Sequence, residues 1–165
     1  MIQTHVLNIE ESKRVLDACG SDIQLKGCYN NTFNVLRHCS RTIRERDWKA
    51  VYGYMSTIPG CMVRHAFWLD EDGRAVDPTA LLASPSGKSA SREYVTFRRF
   101  ELDEYLDAIE REGMDPSLFR ACLSEEREMA AWAQENQVIL LDQPGILVNE
   151  QMRRKKGRDC GLSLD

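Results

Sequence analysis

A hairpin near the middle of the chain is the feature that most constrains its fold. Residues 62–70 are rich in β-branched and aromatic side chains, which favour a strand, and residues 74–77 can return alongside them. The intervening Glu71-Asp72-Gly73 suits a three-residue hairpin loop with its glycine in the left-handed conformation. We therefore expect an antiparallel pair of strands closed at Gly73.

The length of the loop fixes which side chains share a face of this hairpin. A three-residue loop pairs Asp70 with Arg74, and the same register places Phe67 opposite Asp77. His65 lies two residues before Phe67, so it shares a face with Asp77. Diagonal neighbours on one face have Cβ atoms about 7–8 Å apart or less, within reach of a histidine–carboxylate hydrogen bond. A two-residue loop puts the two side chains on opposite faces.

The rest of the pattern predicts an α+β fold in a single domain. Helical periodicity and end signals predict helices at residues 9–18, from Cys28 to about Cys39, from 102 until Gly113, and from Asp115 to about Asn136. Strand-like runs occupy residues 48–55, 94–100 and 138–141, and the most loop-like stretch is 84–91. We expect the helix that begins at Cys28 to pack on an antiparallel sheet of three to five strands, with C-terminal helices covering one side.

The same reading sets expected boundaries within the chain. The domain spans residues 1–150, with a core at about 20–100 and a helical extension at about 101–136. Residues 151–165 form a basic tail that we expect to be flexible.

Charge and hydropathy disfavour several classes of function. The chain has 26 acidic and 22 basic residues, a net charge of −4, which disfavours a general nucleic-acid binder. No apolar run approaches the roughly 20 residues that span a bilayer, and the first residues lack the layout of a signal peptide. We therefore expect a cytoplasmic protein, or one delivered into another cell's cytosol, that acts on a protein or peptide rather than on nucleic acid or a membrane.

The six cysteines are scattered, and none form a CxxC pair. A chain of this length does not need disulfides to hold a core, so we expect most of them to be reduced thiols. The spacing of Cys28, His38 and Cys39 fits no zinc finger. We expect neither a metal nor a cofactor.

Cys28, His65 and Asp77 are the residues that carry the chemistry. A cysteine nucleophile needs a nearby base to form thiolate at neutral pH, and the base needs a third group to orient it. Cys28 lies at a predicted helix start, where unpaired N–H groups favour a thiolate. His65 and Asp77 lie on the two strands of the hairpin, on one face.

Short motifs around these residues resemble the transglutaminase-like cysteine enzymes of the papain-like superfamily. The motifs are Gly53-Tyr54, His65-Ala66-Phe67-Trp68, Asp72-Gly73 and Val76-Asp77-Pro78-Thr79. In that group a Cys on a helix is followed by a His on a strand and then by an Asp, and the intervals here are 37 and 12 residues. The resemblance covers roughly residues 24–80. It implies that Cys28 is the nucleophile, His65 the general base and acid, and Asp77 the group that orients His65.

An acyl-enzyme passes through a tetrahedral anion, so the site also needs oxyanion donors. The backbone N–H of Cys28 is the natural first donor. Gln24 is a candidate for the second, as an upstream Gln is in papain-like enzymes, and Asn30 and Asn31 are other candidates. Trp68 is a candidate wall of the site because it is close to His65 in sequence, although a regular strand points it to the other face.

The leading interpretation is a cysteine enzyme that transfers acyl groups from amides of proteins or peptides. Protease, glutamine deamidase and transglutaminase chemistry share this constellation, and the size of the chain favours hydrolysis. One alternative is an acyltransferase that uses a thioester donor. Another is an inactive papain-like binding module, in which Cys28 is an unreactive buried thiol, Asp77 merely begins a turn, and the acidic region 101–135 is the partner surface.

Overall fold

The computed structural model describes residues 2–84, 92–118 and 120–141. Most of the predicted loop at 84–91 and the whole predicted tail at 151–165 lie outside these residues. Within them, no helix is both long enough and apolar enough to cross a membrane.

The described residues form an α+β fold built on one sheet, as predicted. Its strands are β1 (Gln3–Val6), β2 (Lys49–Ile58), β3 (Cys61–Leu69), β4 (Ala75–Val76), β5 (Glu93–Phe100) and β6 (Ile139–Leu141). The order across the sheet is β1-β5-β2-β3-β4, and β6 also pairs with β3. All of these pairings are antiparallel except that of β6 with β3, so the sheet is mostly antiparallel.

Helices cover both faces of this sheet. They are α1 (Ile9–Cys19), α2 (Cys28–Glu45), α3 (Pro78–Ala83), α4 (Leu102–Arg111) and α5 (Leu123–Glu135). Alternation along β3 divides the core: Ala66 and Trp68 pack with the buried side chains of α1 and α2, whereas Phe67 packs with Ala80 of α3.

The central hairpin has the predicted register. Trp68 pairs with Val76 in the β3–β4 ladder. The Asp70 N–H donates to the Arg74 carbonyl at 2.9 Å, and Gly73 has a φ of +74°. The loop therefore has three residues, and this register sets Asp77 across from Phe67 and within reach of His65.

Among the described residues, the sheet has six strands instead of the expected three to five. The structure also differs from the predicted elements at four places. Strand β1 and helix α3 were not predicted, because each is short and Pro78 suggested only the end of a strand. Helix α2 continues to Glu45 through a non-helical Cys39, where φ is −118° and ψ is 20°. Helix α5 begins at Leu123 instead of Asp115, after a 3₁₀ turn at Arg120–Cys122.

Candidate active site

Cys28 is the first residue of α2, and the backbone around it leaves room for a ligand. The residue before the helix, Gly27, has no side chain to cap it, and no side-chain cap is present. The N–H groups of a helix's first turn have no acceptor within the helix, and they give that end a partial positive charge. The half-buried thiol of Cys28 therefore lies where a thiolate and an oxyanion are both favoured.

His65 lies where β3 is paired on only one side. Strand β6 pairs with β3 as far as Val63, and β4 begins its pairing at Trp68. The intervening residues have β2 alone as a ladder partner among the described strands. His65 is 5% exposed, its ring is hydrogen-bonded to Asp77, and the Cys28 side chain is close enough to raise its pKa.

Asp77 is buried, and its carboxylate is fully hydrogen-bonded. His65 Nε2 donates to its Oδ2 at 2.7 Å, and the Tyr94 hydroxyl donates to the same oxygen at 3.0 Å. Its Oδ1 accepts from the N–H groups of Thr79 and Ala80 at 3.0 and 3.2 Å, which caps α3. With Nε2 committed to Asp77, Nδ1 is the ring nitrogen left for Cys28.

The electrostatics of this pair favour a charged imidazole. Burial disfavours the charge on His65, but the Asp77 carboxylate outweighs it through charge and hydrogen bonding. Cys28 makes a smaller contribution in the same direction as Asp77. Together these effects raise the pKa of His65 to about 10. Burial acts against the Asp77 charge too, and His65 with Tyr94 and the α3 backbone still lower the pKa of Asp77. At neutral pH the site therefore holds an imidazolium between a carboxylate and a sulfur.

Tyr94 is a member of the site that the sequence did not identify. It lies on β5, fully buried, with its ring 6.3 Å from that of His65 and 4.9 Å from that of Phe67. No local motif marks this tyrosine. Only the position of β5 in the sheet, on the far side of β2 from β3, brings its hydroxyl to Asp77.

Asn31 and Trp68 are engaged in holding the fold, contrary to the expectation that they face a substrate. Asn31 Nδ2 donates to the Gln24 carbonyl at 2.7 Å and to Thr79 Oγ1 at 2.9 Å. Both of its amide protons are therefore used, one on the segment before α2 and the other on α3. Trp68 is completely buried, and its Nε1 donates to the Thr32 carbonyl of α2.

Gln24 is exposed just before α2, at the edge of a cavity. The cavity has a volume of about 270 Å³, and Gly27, Asn30 and Arg37 also line it. Gln24 is held through its backbone, where its N–H donates to Asn31 Oδ1 at 3.0 Å. The Gln24 backbone is therefore fixed by this hydrogen bond, and its side-chain amide is attached beside the start of α2.

An aromatic contact links the Cys28 end of α2 to the C-terminal helices. Tyr29 stacks on Tyr52, with ring centroids 5.6 Å apart. The Tyr52 hydroxyl donates to the carbonyl of Pro116, in the segment between α4 and α5. That segment therefore lies against the neighbourhood of Cys28.

Within the described part of the chain, no group of three or more His, Cys, Asp or Glu side chains is arranged to hold a metal ion. Comparisons with protein-family models, with curated proteins and with solved structures find no match to the chain. The case for a function therefore rests on the geometry around Cys28.

Proposed function

We propose that the protein is a transglutaminase-like cysteine enzyme that transfers acyl groups from amides of proteins or peptides. The observation that carries the proposal is that Cys28, His65 and Asp77 are neighbours, with His65 Nε2 2.7 Å from Asp77 Oδ2 and Cys28 close enough to raise the pKa of His65. A thiol, a base and a group that orients the base are the parts that covalent acyl transfer requires.

The imidazolium of His65 suits both halves of such a reaction. The Cys28 thiolate attacks the carbonyl carbon, and a C–S bond forms as the oxygen becomes an oxyanion. When the C–N bond breaks, His65 gives its proton to the leaving amine and becomes neutral. Neutral His65 then takes a proton from water, whose oxygen attacks the thioester and releases the acid as the C–S bond breaks.

The oxyanion would be held by the uncapped start of α2. The N–H of Cys28 is the first donor, because a helix start offers N–H groups that no helical carbonyl accepts. Gln24 is a better second donor than Asn31, since Asn31 has already donated both amide protons. A polar cavity beside Gln24 is compatible with a peptide-like substrate.

Acyl transfer can be tested without knowing the substrate, by using an activated ester. With p-nitrophenyl acetate, we expect acetylation of Cys28 followed by turnover. Tryptic digestion gives the peptide Gly27–Arg37, which contains Cys28 and no other cysteine, so the adduct can be assigned by mass spectrometry. We expect Cys28→Ser to lose the adduct, and His65→Ala to form it at least about 10²-fold more slowly. Acetylation spread over several cysteines, unchanged in His65→Ala, would overturn the proposal.

The leaving group then distinguishes the three reactions that share this site. A peptide mixture rich in glutamine, incubated with and without an added primary amine, would show new N-termini for a protease. It would show glutamate in place of glutamine for a deamidase, and amine-linked glutamine for a transglutaminase. Each product should vanish in Cys28→Ser.

A further inference from the structure

A pair of thiols lies apart from Cys28, where the end of α1 meets α2. Cys19 ends α1 and is buried, whereas Cys39 lies on α2 and is half-buried. Both pack in the same buried cluster, and each thiol is the strongest influence on the pKa of the other, as neighbouring side chains are. Positions 28 and 39 are eleven residues apart, which corresponds to about 16 Å along a helix, so this pair is separate from Cys28.

The backbone around this pair holds the two thiols together. The His38 ring donates from Nε2 to the Asp22 carboxylate at 2.7 Å, and Asn34 Nδ2 donates to the Asp22 carbonyl at 2.9 Å. These bonds fasten the segment that follows Cys19 onto the turns of α2 that precede Cys39. The end of α1 is therefore held against the turn of α2 that precedes Cys39, which brings the two cysteines together.

The conformation of α2 changes at the contact itself. Cys39 is the residue with non-helical dihedral angles inside the helix. Residues 28–45 contain neither proline nor glycine, which are common causes of a break. The break in the helix thus lies at the residue that neighbours Cys19, and the Cys39 backbone is not helical there.

The two thiols differ in a way that gives them different roles. The neighbouring Cys19 thiol, helped by the charge of nearby His38 and opposed by burial and Glu11, lowers the pKa of Cys39. The same contact, together with burial and the charge of Asp22, raises the pKa of Cys19. Cys39 is also the more accessible of the two, so an oxidant from solution meets it first.

We propose that Cys39 and Cys19 form a reversible thiol-modification site. A low-molecular-weight disulfide oxidises the pair to a disulfide between Cys19 and Cys39. The Cys39 thiolate attacks one sulfur of the oxidant and expels the other as a thiolate, which leaves a mixed disulfide on Cys39. Cys19, losing its proton, attacks the Cys39 sulfur and expels the second small thiolate. Two protein thiols are oxidised, one small disulfide is reduced to two thiols, and both protons pass to the leaving thiolates.

Glutathione disulfide tests this site in the full chain. The parent for the experiment is Cys28→Ser, so that the result does not depend on the proposed acyl transfer. After quenching and tryptic digestion without reduction, we expect a disulfide between Val15–Lys26, which holds Cys19, and His38–Arg41, which holds Cys39. Cys39 should react about three-fold faster or more than half-buried Cys61, since its larger thiolate fraction is partly offset by weaker nucleophilicity.

Single variants separate the two steps. Cys19→Ser should keep glutathione on Cys39, because the resolving thiol is missing, and Cys39→Ser should leave Cys19 unmodified. Cys61→Ser is the matched control and should form the disulfide as the parent does. Glutathione remaining on Cys39 in the parent, or Cys39 reacting no faster than Cys61, would overturn the proposal.

Discussion

Asp77 uses its two carboxylate oxygens for two different tasks. Oδ1 caps α3 by accepting from the N–H groups of Thr79 and Ala80. Oδ2 accepts from His65 and from Tyr94. One side chain therefore both begins a helix and holds His65, so its structural role and its proposed chemical role can be separated by substitution.

We expect Asp77→Asn and Asp77→Ala to differ in stability far more than in chemistry. Asparagine caps helices about as well as aspartate, whereas loss of a cap costs about 0.5–2 kcal/mol. Urea unfolding should therefore show an additional loss of that size in Asp77→Ala. Both variants should lose fast alkylation of Cys28, because neither holds a charge against His65. Equal alkylation rates in Asp77→Asn and the wild type would show that the carboxylate does not act on Cys28.

Tyr94→Phe tests whether the second donor to Oδ2 matters to the site. Its loss leaves a buried carboxylate oxygen with one fewer donor, which should cost about 1–3 kcal/mol of unfolding free energy. Tyr52→Phe is a matched control, since it also removes a buried hydroxyl, one that donates to a carbonyl instead of to Asp77. We expect only Tyr94→Phe to change the pH dependence of Cys28 alkylation, and a change of equal size in both variants would contradict this role.

At the scale of elements, the pairing of β2 with β5 leaves no room for a side chain at Gly53. This residue pairs with His65 on one side and with Thr96 on the other, where the β2–β5 register shifts. A Cβ atom added at Gly53 would lie 1.9 Å from the Val95 carbonyl oxygen. The absence of a side chain is thus what allows β5 to lie this close to β2.

We expect Gly53→Ala to destabilise the fold by about 1–3 kcal/mol or more, because backbone atoms must move apart. Gly27→Ala is the control, since its nearest contacts would be 3.4 Å and its φ of −104° is ordinary. That change should cost no more than about 1 kcal/mol. Urea unfolding of the two variants checks the difference, and equal midpoints would contradict the close approach.

Elements whose chemistry is local could be predicted from the sequence. The Glu71-Asp72-Gly73 loop fixed the hairpin register, and the register brought His65 to Asp77. The start of α2 was likewise predicted at Cys28. Strand β1 and Tyr94 were missed because their places depend on pairings with strands far along the chain, which no local pattern encodes.

At the scale of the whole molecule, the site joins elements from distant parts of the chain. The thiol comes from α2, the base from β3, the carboxylate from the start of α3, and the second donor to it from β5. Helix α1 also takes part, because Ser12 Oγ accepts from the Asp77 N–H at 2.9 Å. Protonation within this site is therefore coupled to the stability of the fold.

The coupling predicts how stability varies with pH when His65 titrates without Cys28. In Cys28→Ser, Asp77 still raises the pKa of His65 above its ordinary 6.5, toward the value of about 10 in the intact chain. Between these values the folded state binds a proton that the unfolded state does not. The stability from this proton is complete below about pH 6.5 and falls as pH rises, by up to about 1.4 kcal/mol per pH unit.

Urea unfolding from about pH 6.5 to about pH 9.5 measures this slope. The control is the double variant Cys28→Ser with Asp77→Asn, in which other titrating groups are the same and the carboxylate is gone. We expect the stability difference between the two variants to shrink as pH rises. A difference that stays constant over this range would mean that His65 carries no extra proton in the folded state.

The measurement that tests the central claim most directly is the rate of Cys28 alkylation by iodoacetamide as a function of pH. The tryptic peptide Gly27–Arg37 reports Cys28, and the peptide Ala50–Arg64 reports half-buried Cys61 as an internal reference. An ordinary thiol becomes reactive near its pKa of about 8.5. We predict that Cys28 is alkylated rapidly at about pH 6, that Cys61 is not, and that His65→Ala abolishes the difference. Alkylation of Cys28 that follows Cys61 across the pH range, or that His65→Ala leaves unchanged, would contradict an ion pair at this site and favour a binding module instead.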